Sequence, residues 1–276
     1  MDKQINLNSQ ELEKLALYLQ KNVGIHLEEH KLKRFKTKIE DIFVKYKIDD
    51  FNTFYHKLRF LQDEDIKQDL INAVTVNETY FWREHEQFEV LSKKILPKIV
   101  KNQYMPKVRI LVSPCSSGEE LYSIMLSILD SGELIEKAYF ELVGIDVDTS
   151  MIRKAKLGVY DKRSVSKLPK NLLDNYFTKD GFIYKIDKDL KENATFMQAN
   201  IFDESLKEKL GSFDVVFSRN MLIYFNQEDK QRCYEQFYKL LKSKSYLFLG
   251  HADSNGIDKS KFIPLEYNSH IYIKNL

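Results

Sequence analysis

The sequence predicts an α/β protein in which a small all-helical N-terminal domain precedes a domain built on a mainly parallel sheet. Ahead of Val108, apolar residues recur at helical spacing and no strand is needed to explain them. From Val108 onward, short apolar runs alternate with helical patterns, which is typical of parallel strands joined by crossover helices. We assign residues 1–75 to the helical domain and residues 76–276 to the sheet domain, with residues 76–84 as an interdomain linker.

The composition limits the classes of protein to which the chain can belong. Its 276 residues are 43% hydrophobic, which is enough for one large core with a small second domain. The net charge of +2 gives no overall attraction to nucleic acid or anionic lipid, so we expect no nucleic-acid binding. No apolar run approaches the ~20 residues that span a bilayer, so we expect no direct membrane insertion. The N-terminus lacks the pattern of a signal peptide, which predicts a cytoplasmic location. Cys115 and Cys233 lack metal-ligand spacing, so we expect no metal site.

Four helices are predicted in the N-terminal domain. The first begins at Ser9, interpreted as its N-cap, and ends at Gly24. Asp50 caps the third, and the acidic stretch from Asp63 opens the fourth. The second, over about residues 28–46, is strongly basic in its first half, through Lys31, Lys33, Arg34, Lys36 and Lys38. This half is a candidate partner-binding surface, and a solvated helix face is the alternative.

The sheet domain is predicted from its apolar runs. They give strands at 108–112, 142–145, 194–198, 213–217 and 246–249. Runs at 262–267 and 270–273 flank Asn268-Ser269, a turn signal that predicts a closing antiparallel hairpin. The interval between Asp146 and Phe196 is longer than one crossover helix requires, so a small β-rich insert is placed at about residues 160–194. We expect it to contain a helix at 170–177 and a strand at 182–186.

The loop after the first strand has features of a nucleoside site. It runs through Ser116-Ser117-Gly118 into a helix that starts with Glu119 and Glu120. Sheets of this class bind nucleotides at such loops, but a single glycine and two carboxylates at a helix N-terminus disfavour a pyrophosphate. S-adenosylmethionine has no phosphate and carries ammonium and sulfonium cations, for which a carboxylate is a suitable partner. The alternative is that both glutamates only stabilise the start of the helix.

Later strand ends bring further polar residues to the same edge of the sheet. Asp146 follows the second strand, where an acidic side chain can accept hydrogen bonds from ribose hydroxyls; a turn aspartate is the alternative. Asn200 follows the strand at 194–198, and the strand at 213–217 leads to Arg219, Asn220 and Tyr224. We expect Tyr224 to border the reacting centre, and a half-buried aromatic residue without a chemical role is the alternative.

The linker combines polar and aromatic residues. Asn77, Thr79 and Arg83 flank three consecutive aromatic side chains, which include the single tryptophan of the chain. A lid over a ligand has this pattern, and so does an interdomain hinge that packs its aromatic residues.

Four segments taken together, at 77–84, 116–123, 144–148 and 217–225, resemble the CheR family of chemoreceptor glutamate methyltransferases. The resemblance covers nearly the whole chain and implies a helical N-terminal domain, a Rossmann-like domain that binds S-adenosylmethionine, and a small β-rich insert. The cofactor contacts that it implies fall on Asn77, Thr79, Arg83, Glu120, Asp146, Asn200, Ile201, Arg219 and Asn220. It places Arg83 and Tyr224 nearest the transferred methyl group.

The resemblance also implies a substrate. The acceptor is a glutamate side chain on the cytoplasmic helices of a membrane chemoreceptor, a methyl-accepting chemotaxis protein. It becomes a methyl ester in sensory adaptation, and S-adenosylhomocysteine is the second product. A carboxylate with a pKa near ~4.3 is ionised at neutral pH, so the reaction needs no general base. The basic half of the second helix could contact the acidic side of a receptor helix bundle. We expect the protein to be a monomer.

The chain departs from the family pattern at two places. Ser113-Pro114 stands where members usually carry alanine or glycine, and proline removes a backbone donor from the cofactor loop. The loop Lys179-Asp180-Gly181 is shorter than the Gly-rich loop with which some family members dock a receptor's C-terminal tail pentapeptide. We therefore predict tail-independent recognition. The alternatives for function are a non-catalytic signalling adaptor that binds S-adenosylmethionine, a methyltransferase for another protein carboxylate, and a nucleic-acid methyltransferase. The near-zero net charge disfavours the last of these.

Overall fold

The computed structural model describes residues 7–27, 29–101, 104–134 and 136–275, without the side chains of residues 29–31. The predicted partner-binding side chain of Lys31 therefore lies outside the described part of the chain. The N-terminal region consists of α1 (Ser9–Val23), α2 (Glu29–Tyr46), α3 (Phe51–Arg59) and α4 (Glu64–Val74). None of the described helices is long and apolar enough to cross a membrane.

The four helices are defined by their caps and by a shared apolar core. Asp50 and Asp63 cap α3 and α4 as predicted, each through a backbone N–H three residues later. The cap of α1 is Asn8, and the prediction of Ser9 was wrong, because Asn8 forms a reciprocal capping box with Glu11. Phe43 and Phe54 stack in the core with ring centroids 4.6 Å apart, and both are fully buried.

A helical segment leads from the linker to the sheet. It comprises α5 (Glu86–Val90), a π-helical turn (Leu91–Ile95) and α6 (Leu96–Val100). Phe88, Leu91 and Ile95 are buried in the core on one face of the sheet, so the segment is held by apolar packing.

The strands and the remaining helices follow in chain order. The strands are β1 (Lys107–Val112), β2 (Tyr139–Asp146), β3 (Val159–Asp161), β4 (Phe177–Asp180), β5 (Ile183–Ile186), β6 (Ala194–Gln198), β7 (Phe213–Ser218), β8 (Leu241–Leu249), β9 (Phe262–Leu265) and β10 (Asn268–Lys274). The helices are α7 (Glu119–Asp130), α8 (Thr149–Leu157), α9 (Lys170–Tyr176), α10 (Lys188–Glu192), α11 (Leu206–Leu210) and α12 (Gln227–Leu240).

The main sheet has the order β6-β2-β1-β7-β8-β10-β9, with parallel pairing from β6 to β8 and antiparallel pairing in the closing hairpin. The predicted mainly parallel sheet is thereby confirmed. Successive residues of β1 face opposite sides: Ile110 and Val112 lie in one core, and Leu111 lies in the other. In the sheet, β2 lies on one side of β1, and β7 lies on the other side. The strand order therefore reverses at β1, and a crevice opens at the carboxyl ends of these three strands.

Two details of the strands differ from the prediction. In the insert, β3, β5 and β4 form a separate antiparallel sheet, whereas only β5 was predicted. Phe177 begins β4 and does not end the preceding helix; the other residues of β4 are exposed and carry no apolar alternation. In the closing hairpin, Asn268 begins β10 and pairs with Leu265, so the turn falls at residues 266–267, two residues earlier than predicted. The Asn268 side chain accepts a hydrogen bond from the N–H of His270 beside a bulge.

Candidate active site

The crevice at the carboxyl ends of β1, β2 and β7 contains two adjoining cavities. One is polar and the other largely apolar, and both are lined by Asn77, Pro114, Asp146 and Asn220. The linker forms part of both walls. The structure thus brings together the predicted site residues of the linker and those that follow four strands, β1, β2, β6 and β7.

The polar cavity is organised around Arg219, whose side chain is fully buried. Its Nε lies 3.5 Å from Oε2 of Glu120 and 3.6 Å from Oε2 of Glu84, and one terminal nitrogen donates a hydrogen bond to the carbonyl of Arg83. The guanidinium also lies over the ring of Phe88, 5.2 Å from its centroid. Arg219 is therefore held by the linker, by α7 and by an aromatic ring.

Several buried polar atoms in this cavity have no hydrogen-bond partner among the described residues. They are Nε and Nη1 of Arg219, Oε1 of Glu120, Oε2 of Glu84 and Oγ of Ser116. Buried polar atoms are normally paired, since an unpaired donor or acceptor costs about 1–3 kcal/mol. The donors of Arg219 and the acceptor of Glu120 are therefore complementary to a ligand that carries both an anion and a cation.

The two glutamates at the start of α7 have different roles in the structure. Glu119 turns away from the crevice, and its carboxylate accepts hydrogen bonds from the hydroxyls of Ser117 and Ser164. Glu120 lines the polar cavity. Burial raises the pKa of Glu120 to about 7, against the opposing charge of Arg219 and with a further increase from Glu84. Adjacent helix residues point about 100° apart, which explains why only one carboxylate faces the site.

Asp146 lies between the two cavities at the end of β2 and is 5% exposed. Its carboxylate accepts hydrogen bonds from the N–H groups of Ser116 at 2.8 Å and Asp148 at 2.9 Å. Burial raises its pKa to about 6, although these N–H groups act in the opposite direction. The amide of Asn77 donates to Asp148 at 2.9 Å, so Asp148 fixes the linker beside the crevice. Sequence reasoning had not assigned a role to Asp148.

The apolar cavity is closed by the end of α1. Val23 and Ile25 line it together with Ile201, which is 6% exposed. The amide of Asn200 donates to the carbonyl of Asn22 at 2.6 Å, and it thereby fastens the end of α1 to the sheet. This contribution of the N-terminal region was not predicted, because the contact joins residues far apart in the sequence.

Arg83 and Tyr224 line adjoining parts of the crevice, Arg83 in the polar cavity and Tyr224 in the apolar cavity. Arg83 donates to the carbonyl of Glu78 at 2.8 Å and packs over the ring of Tyr80, and Thr79 lines the same polar cavity. Tyr224 is half-buried in the apolar cavity. Burial raises the pKa of Tyr224, against the opposing charge of Arg83.

Asp253, in the loop after β8, is a further residue that had no predicted role. It is fully buried, and its carboxylate accepts hydrogen bonds from the N–H groups of Asn220 and, at 3.2 Å, of Ile223. Asn220 has a left-handed backbone with φ of 58°. Asp253 therefore holds the loop that carries Arg219, Asn220 and Tyr224. Its sequence signal is the short block at 249–253, which in addition to the four segments above also looks like a block of the CheR family.

The predicted basic surface is only partly outward-facing. Lys33 and Arg34 on α2 are exposed, and Lys36 lies 4.0 Å from Glu40. Lys38 is half-buried and donates to the carbonyl of Ala73 at the end of α4. Burial, together with Arg34, lowers the pKa of Lys38. Lys38 thus points towards the linker side of the helix bundle, in contrast to the outward face shown by Lys33.

The cavities fit S-adenosylmethionine. The unpaired acceptor of Glu120 and donors of Arg219 match the ammonium and carboxylate of its methionine part, and the apolar cavity beyond Asp146 matches its adenosine. Fold and site together define a methyltransferase that uses S-adenosylmethionine. The chain belongs to the CheR methyltransferase family, whose model for the S-adenosylmethionine-binding domain matches residues 77–271.

Relatives from three bacteria agree with this family. The chain is 40% identical over 206 residues to chemotaxis protein methyltransferase 2 of Vibrio cholerae, which covers 74% of this chain and 71% of the relative. It is 34% identical to a chemotaxis protein methyltransferase of Campylobacter jejuni, with 92% of each chain covered. A third relative, from Borreliella burgdorferi, has the same name and is 30% identical over 91% of this chain and 90% of its own length.

Proposed function

We propose that the protein methylates glutamate side chains on the cytoplasmic helices of a membrane chemoreceptor in chemotaxis. The products are a glutamate methyl ester and S-adenosylhomocysteine, the reaction of a protein-glutamate O-methyltransferase. The names of the relatives support a role in chemotaxis. The observation that carries the proposal is that Arg83 lines the polar cavity and Tyr224 lines the adjoining apolar cavity, the two cavities that fit the cofactor.

The proposed cofactor contacts follow the polarity of the two cavities. Glu120 would accept from the ammonium group, Arg219 would bind the carboxylate of the methionine part, and Asp146 would accept from the ribose hydroxyls. Ile201 would pack on the adenine. The remaining contacts are assigned to Asn77, Thr79, Arg83, Asn200 and Asn220, all of which line the cavities.

The chain's own residues would contribute mainly by positioning. S-adenosylmethionine supplies a methyl group on a sulfonium, which a carboxylate oxygen can accept. The acceptor glutamate is already ionised at neutral pH, so no residue has to remove a proton. Arg83 and the hydroxyl of Tyr224 would orient this carboxylate, and the linker would limit the access of water.

The receptor would bind along α2. A groove lined by Arg34, Lys38 and Asn77 leads from this helix to the linker, and Asn77 also lines the cofactor cavities. The exposed charges of Lys33 and Arg34 would pair with acidic residues of a receptor helix. The β4–β5 hairpin turns tightly at Gly181, which supports recognition without a tail pentapeptide.

The test uses purified protein, methyl-labelled S-adenosylmethionine and membranes that contain chemoreceptors. Carboxyl methylation predicts label on the receptor that mild base releases as methanol. Arg83→Ala should abolish transfer while the fold is retained, and Arg153→Ala, at an exposed position on α8, should leave it unchanged. Transfer at the parent rate by Arg83→Ala would contradict the role of Arg83. Tight cofactor binding without transfer would instead favour a signalling adaptor or another carboxylate substrate.

The proposed receptor surface has its own test. Lys33→Glu combined with Arg34→Glu should reduce receptor methylation and leave S-adenosylhomocysteine affinity unchanged. The control reverses two exposed lysines of the segment before β1, Lys93 and Lys98. Equal methylation by both double variants would remove α2 from the proposal.

A further inference from the structure

Glu84 is a second carboxylate beside the buried Arg219. Its Oε2 lies 3.6 Å from Nε of Arg219, almost the same distance as Oε2 of Glu120, and its side chain is 15% exposed. Glu84 reaches this position from the linker with a left-handed backbone, φ 51°, which a residue other than glycine rarely adopts. The surrounding structure must therefore hold Glu84 in place.

The other charged groups near this pair have hydrogen-bond or ring partners of their own. Arg83 donates to the carbonyl of Glu78, and Asp253 accepts from backbone N–H groups of the loop after β7. His251 and His270, from the loop after β8 and from β10, contact each other with ring centroids 4.8 Å apart. Glu84 and Glu120 therefore share Arg219 as their ion-pair partner within the described part of the chain.

Arg219 lies within ion-pair distance of both carboxylates, yet polar atoms on all three side chains are left without a hydrogen-bond partner among the residues described. Oε1 of Glu120 and Oε2 of Glu84 are both buried without a hydrogen-bond partner in the part of the chain that the structure describes. Glu120 lines the polar cavity, and Glu84 approaches Arg219 from the linker. When both carboxylates are ionised, two negative charges face one guanidinium, so negative charge is in excess beside the polar cavity that Glu120 lines.

We propose that Glu84 is a positioning residue that holds Arg219 in an ion pair from the linker side, so that Glu120 is left for the ammonium group of the cofactor's methionine part. This inference rests on the proposed function. Without the charge of Glu84, Glu120 becomes the sole counter-ion of Arg219. Glu120 then competes for Arg219 with the carboxylate of the cofactor's methionine part. Glu84 thereby acts on the amino-acid end of the ligand and not on its adenosine.

The experiment compares ligands that differ at the amino-acid end. Calorimetry would measure binding of S-adenosylhomocysteine, its deaminated analogue and methylthioadenosine, which lacks the whole amino-acid part. Glu84→Gln should weaken S-adenosylhomocysteine binding about tenfold to a hundredfold, as for the loss of one interaction of a charged group, and leave methylthioadenosine binding unchanged. Glu84→Asp, which keeps the charge, should recover part of the loss. Glu89→Gln removes an exposed carboxylate nearby in sequence and should bind all three ligands like the parent.

The pH dependence provides a second readout. In the parent, affinity for S-adenosylhomocysteine should fall as the pH drops through about 7, where Glu120 takes up a proton. In Glu84→Gln the midpoint should move to lower pH, because the charge of Glu84 raises the pKa of Glu120.

The outcomes separate this inference from the proposed function. Parent-like binding of S-adenosylhomocysteine by Glu84→Gln would overturn the role of Glu84. Equal weakening of all three ligands would also overturn it, since Glu84 would then only maintain the shape of the cavity. If the parent bound none of them, the proposed function would fail, and this inference with it.

Discussion

Replacement of Glu120 by glutamine should stabilise the unliganded protein while it impairs cofactor binding. Burial raises the pKa of Glu120 from 4.5 to about 7. This difference corresponds to about 3 kcal/mol, because one pKa unit equals about 1.4 kcal/mol. When folding raises the pKa of an acidic group, ionisation of that group destabilises the folded state. This penalty applies at pH values above the pKa that the group has in the unfolded chain. The penalty is therefore absent below pH 4.5, grows between the two pKa values, and is complete above about pH 7.

Glutamine has a similar size and stays neutral, and Arg219 keeps Glu84 as its counter-ion in the variant. We expect Glu120→Gln to be more stable than the parent by up to about 3 kcal/mol at pH 8, or about 6 °C in Tm for a chain of this length. At pH 5 the difference should fall to about 1 kcal/mol, because the penalty has only begun to grow between the two pKa values. Scanning calorimetry without ligand at both pH values measures this, and titration with S-adenosylhomocysteine measures the loss of affinity.

The control is Glu89→Gln, since Glu89 forms an exposed ion pair with Lys93 and its replacement should change stability by less than about 0.5 kcal/mol at either pH. A Tm for Glu120→Gln equal to or below that of the parent at pH 8 would refute the reasoning. An identical gain at pH 5 and pH 8 would also refute it, because the effect would then not come from ionisation.

Three further substitutions test the scaffold of the site. Asp253→Ala should weaken S-adenosylhomocysteine binding about fivefold to a hundredfold in calorimetry, because the N–H of Asn220 loses its buried acceptor; parent-like binding would contradict this. Phe43→Ala should lower the free energy of unfolding by about 3–5 kcal/mol in denaturant titrations, as the ring is fully buried, and a loss below 1 kcal/mol would count against it. Gly144→Ala should cost about 1–3 kcal/mol, because its Cβ would lie 2.9 Å from Cβ of Cys115, and an unchanged midpoint would disprove the clash.

The sequence was most informative where a periodic pattern is long or a strand is apolar throughout. The helices α1 to α4 and the strands of the parallel sheet meet these conditions. The strand β4 does not, because most of its side chains are exposed and it is held by pairing with β5. The cap of α1 was misplaced although its signal was present: Glu11 stands three residues after Asn8, the spacing of a capping box.

The candidate site was predictable where residues follow parallel strands, since the carboxyl ends of such strands meet at one edge. Asp146 and Arg219 lie together for this reason. Glu84, Asp253 and Ile25 could not be found in this way, because their positions depend on how the linker, the loop after β8 and α1 pack on the sheet. Sequence spacing does not encode such tertiary contacts.

Because the end of α1 closes the apolar cavity, the binding of a nucleoside is linked to the packing of the helix bundle on the sheet. Ile25 lines the cavity, and the backbone N–H of His26 donates to the carbonyl of Tyr224 at 3.1 Å. Contact with Ile25 would contribute free energy to the binding of a nucleoside. By thermodynamic reciprocity, the bound nucleoside would stabilise the packing of the helix bundle on the sheet by the same free energy. Because α2 belongs to that bundle, loading of the cavity would also make the orientation of the basic helix more rigid.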